Sequence, residues 1–409
     1  MGGNAWLRRA LWVVGPGLMV MLADTDAGSV VTAAQSGARW GFRLLALQVL
    51  LVPVLYLVME LTVRLGITTG KGYAALIRER FGAGWAYVLV AALLVSVVGA
   101  LVSEFAGIAG AGELFGLPPA LTVPLAAGLL VLLVVTGGYR RVEVVGISLG
   151  LLELTFVGAA LFAHPGAHAL MSGVTAGQPL GNRSYLALVA ANVGAVVMPW
   201  MLFYQQGAVV DKGLQLRHLR LARIDTAVGA VLTQIVMGAV LVATAVSFAG
   251  RHAGRSLSSI GQISVALTPL LGGTASRLVL ALGMLGAAFV AGIVVSLAAA
   301  WAVSEAAGRP ASLNARVSRA PLFYAIYAGA VLAGAVAVLA SGSLVRLAVD
   351  VEIVNALLLP LVLGMLVLVA RRELPKAHAF GRPRFVTVGV AATGVVLLGI
   401  LWLGFALGL

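Results

Sequence analysis

Stretches of about 20 apolar residues, the length at which a helix crosses the hydrocarbon core of a bilayer, recur along this whole chain with short polar connections between them. In lipid every backbone N–H and C=O must be satisfied internally, so such stretches fold as membrane-crossing helices. They lie near residues 10–36, 43–63, 86–111, 119–137, 143–163, 184–209, 222–249, 276–304, 320–341, 344–370 and 386–408, which predicts about eleven spans. With 61% hydrophobic and only 10% charged residues, against about 25% charged in soluble domains, the chain cannot cover a water-facing surface of its size. That excludes an ordinary soluble enzyme and a disordered protein. The longest polar connections, near 164–183, 250–275 and 305–319, read as loops and leave no room for a soluble domain. Glycine is 51 of 409 residues, and small residues let helices pack closely in lipid.

The net charge of +13 is topological. With the N-terminus in the cytoplasm, all but seven of the 27 Lys and Arg fall on the cytoplasmic side, as the positive-inside rule requires. The exceptions are Arg39, Arg43, Arg183, Arg251, Arg255, Arg277 and Arg346. The expected partner is therefore the lipid bilayer rather than nucleic acid, and no obligate protein partner is called for. The first span is not a removable signal, since it carries two aspartates and further spans follow it. The expected location is a bacterial plasma membrane, with the N-terminus cytoplasmic and the C-terminus outside. There is no cysteine, so thiolate metal sites are excluded.

Two spans are built to break. The first runs from Gly15-Pro16-Gly17 to Asp24-Thr25-Asp26-Ala27-Gly28-Ser29, and the sixth contains Asn192, Gly194, Ala195, Met198 and Pro199. Pro199 removes a helix hydrogen bond, and Gly28 tolerates an unwound backbone. Broken backbone at mid-membrane survives only where it is buried or lines a cavity, and interruptions at corresponding places in two halves point to a transporter's site. Spans one and six imply a five-plus-five inverted repeat within a single transmembrane domain: residues 1–165, then 184–370, with 386–408 as an extra C-terminal helix.

Carboxylates inside a membrane are functional candidates. Of the fourteen acidic residues, Asp26 reads as a ligand for a cationic substrate. Asp24 reads as a second ligand, a proton acceptor or a cap on a broken helix end. Opposite them, the sixth span offers the Gly194 and Ala195 carbonyls and the Met198 thioether. Carboxylate and carbonyl oxygens suit hard cations, and a thioether favours softer transition metals. Glu104 is a candidate proton carrier, with a buried structural carboxylate as the alternative. Glu352 and Asn355 lie one helical turn apart and are candidate outer ligands.

These residues resemble the natural resistance-associated macrophage protein (Nramp) family of divalent-metal transporters, which have the LeuT-type fold. Gly15-Pro16-Gly17 followed by Asp26-Ala27-Gly28-Ser29 is similar to the family's Gly-Pro-Gly followed by Asp-Pro-Gly-Asn. Residues 64–71 resemble its Arg-Leu-Gly-Ile-Val-Thr-Gly-Lys, and Met198-Pro199 its Met-Pro-His. Ala222-Arg223-Ile224-Asp225-Thr226 resembles Ala-Thr-Ile-Asp-Ser, and Pro269-Leu270-Leu271-Gly272 matches Pro-Leu-Leu-Gly. The likeness runs from about residue 12 to 300.

The resemblance implies metal ligands at Asp26, Ser29, Ala195 (through its carbonyl) and Met198, with Asp24 added by this chain. It implies rocking of spans one, two, six and seven against the rest, with no cofactor, the metal being cargo. Two of the family's histidines are replaced by Trp200 and Gln205, neither of which titrates near neutral pH. Histidine-based proton coupling is therefore expected to be lost; Gln205 marks where that pathway would run. The function expected is secondary transport of a divalent cation, Mn²⁺ or Fe²⁺ ahead of Mg²⁺, and not catalysis. A LeuT-type carrier of a small organic solute coupled to H⁺ or Na⁺ is the alternative.

Overall fold

A computed structural model describes residues 12–248, 257, 259–340, 344–375, 381 and 389. Apart from residue 389, the last expected span, 386–408, and the C-terminus lie outside the described residues. Within them the chain is helical, and nine stretches are long and apolar enough to cross a membrane. One of these, 27–69, holds two helices joined by a 3-10 turn over Gly41–Leu44.

In chain order the helices are α1 (Pro16–Asp24), α2 (Ala27–Trp40), α3 (Leu45–Thr69), α4 (Tyr73–Phe81), α5 (Ala83–Glu113) and α6 (Pro119–Thr136). Next come α7 (Tyr139–Gly150), α8 (Leu154–Ala163), α9 (Ala167–Thr175), α10 (Arg183–Val196) and α11 (Pro199–Asp211). The remainder are α12 (Leu219–Phe248), α13 (Ile260–Leu271), α14 (Gly273–Ala306), α15 (Pro321–Leu339) and α16 (Leu344–Glu373). Two of the three expected loops hold helices. The 164–183 connection contains α9, with His168 on it, and the 250–275 connection contains α13. Both are too short to cross, so their polar flanks dominated the sequence pattern.

Proline at the first helical position opens α1, α6, α11 and α15, where its missing N–H is no loss. Asn182 caps α10 by accepting the Ser184 and Tyr185 amides at 3.0 and 3.2 Å. The helix α14 is the buried axis of the bundle, packed against α5, α11, α13 and α15. On α6 the stripe Leu121, Leu125, Leu129 and Leu132 is exposed. An apolar stripe at helical spacing facing outward is what lipid contact requires. The protein is a multi-pass membrane protein.

The two ends of the bundle differ. The ion pairs Arg64–Glu60, Arg223–Glu60, Lys212–Glu143 and Arg80–Glu373 cluster at one end, called here the basic face. There Asp225 on α12 accepts the amides of Gly15, Gly17 and Leu18 at 3.2, 2.8 and 3.2 Å. It thus caps α1, which has no capping side chain of its own. Beside it the Lys212 ammonium, just beyond α11, holds the Val14 carbonyl at 3.0 Å and Glu143 at 2.8 Å. Burial pushes the Lys212 ammonium below its usual pKa, and the Glu143 carboxylate works against that shift. Gly15 sits at φ +149°, with no room for a Cβ against the Glu143 carboxylate. At the opposite face, Gln35 on α2 exchanges two 2.8 Å hydrogen bonds with the backbone of Leu257.

Candidate metal site at two helix breaks

The backbone leaves the helix after Asp24 and resumes it at Ala27. Asp26 is extended (φ −61°, ψ 173°) and caps α2, its Oδ1 accepting the Ser29 amide at 2.7 Å. An aspartate that bonds its own backbone competes with the helix, so the break needs no proline. In the sixth span Val197 and Met198 are extended before Pro199. Proline both disfavours helical geometry in the residue before it and lacks the N–H that Ala195 O would otherwise receive from four residues on. The Ala195 carbonyl is thereby released, and the Ser29 hydroxyl donates to it at 3.2 Å. The amide of Met198 donates to the Met201 sulfur at 3.4 Å rather than continuing the ladder. Close approach of the α10 end to α16 depends on Gly194, where a Cβ would strike the Glu352 backbone carbonyl.

Further carboxylates surround this junction. Glu104 on α5 accepts the Ala27 amide at 3.1 Å. Glu352 on α16 accepts from Asn355 at 3.0 Å, and Asn355 accepts the Ser96 hydroxyl at 2.5 Å. A Cβ on Gly28 would lie 2.5 Å from Glu352 Oε1, 3.0 Å from Ser103 Oγ and 3.4 Å from Asp26 Oδ1. Those groups therefore converge on the one residue without a side chain. Asp26 Oδ2, Glu104 Oε1, Glu352 Oε1 and Ser103 Oγ are buried without a hydrogen-bond partner among the described residues. Leaving a buried acceptor unpaired costs about 1–3 kcal/mol, so four such groups at one junction call for an explanation, and a bound cation supplies one.

Asp26, Ser29, Ala195, Glu104, Glu352 and Asn355 thus form one constellation. Met198 lies three residues past Ala195, fully buried at the break itself. Asp24 is held from α12, its Oδ2 accepting the Thr233 hydroxyl at 3.1 Å. Gln205 is on α11 toward the basic face, 3.5 Å from Thr226 Oγ1. The sequence reading passed over Ser103 and gave no role to Glu153. Ser103 carries no sequence signal, whereas Glu153 had one, a carboxylate inside a span. Among the described residues no three His, Asp or Glu side chains form a ready metal cluster. A cation here would be held by a mixed set of carboxylate, carbonyl, hydroxyl and thioether donors, a set that takes a divalent ion with some soft character.

The sequence model of the natural resistance-associated macrophage protein-like family matches residues 17–404. A protein of Brucella suis biovar 1 (strain 1330), named Divalent metal cation transporter MntH, is 28% identical over 290 residues, 68% of this chain and 63% of that protein. The chain thus matches under two thirds of that relative's length. Among solved structures, the Eremococcus coleocola manganese transporter bound to an aromatic bis-isothiourea substituted compound superposes with a TM-score of 0.78 at 17% identity, over 98% of this chain and 87% of that one. MhsT in complex with L-phenylalanine superposes with a TM-score of 0.63 at 13% identity, over 95% and 97%. At these identities the likeness is one of fold, the all-helical LeuT type. With most of its length matched by the family's sequence pattern and its fold shared with a manganese transporter, this chain belongs to the Nramp family.

Proposed function

We propose that the protein is a secondary transporter of a divalent metal cation, with Mn²⁺ or Fe²⁺ preferred over Mg²⁺. The observation that carries this reading is the junction of the two helix breaks, where Ser29 bridges to the Ala195 carbonyl beside an Asp26 oxygen without a partner. Asp26 supplies the negative charge, Ala195 and Ser29 supply neutral oxygens, and Met198 supplies the thioether that favours a transition metal. Glu104, Glu352 and Asn355 form an outer polar shell. The name borne by the Brucella relative supports the same class of cargo.

In this reading α1–α2 and α10–α11 are corresponding broken spans of an inverted repeat. The basic face is cytoplasmic by the positive-inside rule, in a bacterial plasma membrane. Transport runs without a histidine relay, since Trp200 and Gln205 stand where the family has histidines. No cofactor takes part.

The test is Mn²⁺ uptake into proteoliposomes with a trapped fluorophore, with and without excess Mg²⁺. Uptake in the unaltered protein that resists Mg²⁺ and is lost in Asp26→Ala, while that variant keeps its unfolding temperature, is the expected result. Undiminished uptake by Asp26→Ala would overturn the site. Uptake abolished by Mg²⁺ would overturn the preference for a transition metal, and no uptake would point to an organic solute.

A further inference from the structure

Five carboxyl groups, those of Asp24, Asp26, Glu104, Glu153 and Glu352, are at most 1% exposed and lie within electrostatic reach of one another. The segments that carry them, 16–38, 86–112, 142–163 and 347–370, contain no Lys, Arg or His. Their hydrogen bonds come from hydroxyls and amides, and the Asp26 and Glu104 carboxyls also meet each other. Charge buried without counter-charge is strongly unfavourable, so each of these groups takes up a proton or a cation, and one divalent ion at Asp26 would offset at most two of the five.

The remainder is not spread evenly. Asp24 is bonded to Thr233 on α12, and its Oδ1 has no partner among the described residues. Glu153 lies against the Thr25 side chain, with neither carboxylate oxygen hydrogen-bonded among the described residues. The helix carrying Glu153 changes at this point: α7 ends at Gly150, a 3-10 turn covers Leu151–Glu153, and α8 begins at Leu154. A Cβ on Gly150 would lie 2.8 Å from the Leu22 Cβ, so the turn abuts the last residues of α1. The end of α1 adds a partial negative charge and unpaired carbonyls, and half-helix ends of this kind coordinate Na⁺ in broken-helix carriers.

We propose that Asp24 and Glu153, together with the Thr25 and Thr233 hydroxyls, form a second cation site for a monovalent ion of sodium size, separate from the divalent site at Asp26, Ser29 and Ala195. The donors are hard oxygens with no thioether. Mg²⁺ gives up its water shell reluctantly, and Asp24, Thr25, Glu153 and Thr233 are buried too completely to admit a hydrated ion. Sodium bound here ties Thr25, in the break that also carries Asp26, to α12 and to the turn before α8; with that break already ordered the metal binds at lower entropic cost, which outweighs the repulsion between the two cations. The inference rests on the transporter reading for its coupling, but not for the site itself.

The full-length protein is tested two ways at constant pH and ionic strength: Mn²⁺ uptake into proteoliposomes, and thermal unfolding, each in NaCl against choline chloride. Sodium is expected to raise Mn²⁺ uptake at low metal by about fivefold or more, the lower end of coupling between linked sites. It is also expected to raise the unfolding temperature of the unaltered protein and of Asp26→Ala. Both responses are expected to vanish in Glu153→Gln and in Thr233→Val, which removes a hydroxyl without touching a carboxylate. Equal behaviour in sodium and choline would overturn the proposal, as would uptake driven by a proton gradient without sodium, or a full sodium response in both variants. A sodium-dependent unfolding temperature in a protein that moves no Mn²⁺ would uphold the sodium site while the transporter reading fails.

Discussion

Gly28 is the residue on which the constellation turns. Its missing Cβ is where Glu352, Ser103 and Asp26 meet. Because Glu352 approaches with the end of a flexible side chain, Gly28→Ala is expected to fold, at a cost of about 1 kcal/mol, by swinging that carboxylate aside. Mn²⁺ uptake should fall by up to about a hundredfold even so, as expected when positioning groups shift by an ångström; uptake and unfolding temperature measured together separate the two effects. Met198→Ala makes a complementary prediction. Loss of the thioether should raise the Mn²⁺ concentration for half-maximal uptake and leave inhibition by Mg²⁺ as strong or stronger. At this scale the sequence was informative wherever chemistry is intrinsic to the residue type: a carboxylate in an apolar span, or a proline releasing a carbonyl. It was silent on Ser103, one serine among many, because only the meeting of α2, α5 and α16 gives its hydroxyl a role. Asp24 shows the converse, since adjacency to Asp26 in the chain says nothing about which neighbouring helix its side chain meets.

The helices carry their own consequences. Asp225, fixed on α12, supplies from another element the cap that α1 lacks. Asp225→Ala removes bonds to a charged acceptor, each worth about 1.5–3 kcal/mol, and should loosen the start of α1. The chain has no cysteine, so Thr226→Cys alone reports exposure at this spot. Its labelling from the basic face should accelerate when Asp225→Ala is added, and an unchanged rate would contradict the capping role. Gly194→Ala should behave differently from the Gly28 change, because its Cβ meets backbone on α16 rather than a movable side chain. Destabilisation of about 1–3 kcal/mol or more is expected, readable as a lowered unfolding temperature. Both breaks could be located from sequence because glycine, proline and aspartate act on the local backbone. The helices α9 and α13 were hidden because neither is long enough to give a membrane-length apolar signal.

Over the whole molecule, apolar span length was the most legible property, since lipid leaves a chain so few ways to satisfy its backbone. Helix pairing was not legible in it: nothing in the apolar pattern makes α14 the buried axis or brings α16 against α10. The two faces are closed by different means. A paired glutamine and loop backbone hold one, and a charged network holds the other. That network bears on speed. If α1 must leave Asp225 and Lys212 for the cargo to depart, the bonds broken there contribute to the barrier of each cycle, and about 1.4 kcal/mol removed from it is tenfold in rate. Lys212→Met should therefore give faster release of preloaded Mn²⁺ in stopped-flow efflux, together with greater passive leak. Strength at this latch and turnover number are opposing quantities, and the length of the Lys212 side chain is one place where the exchange between them is set.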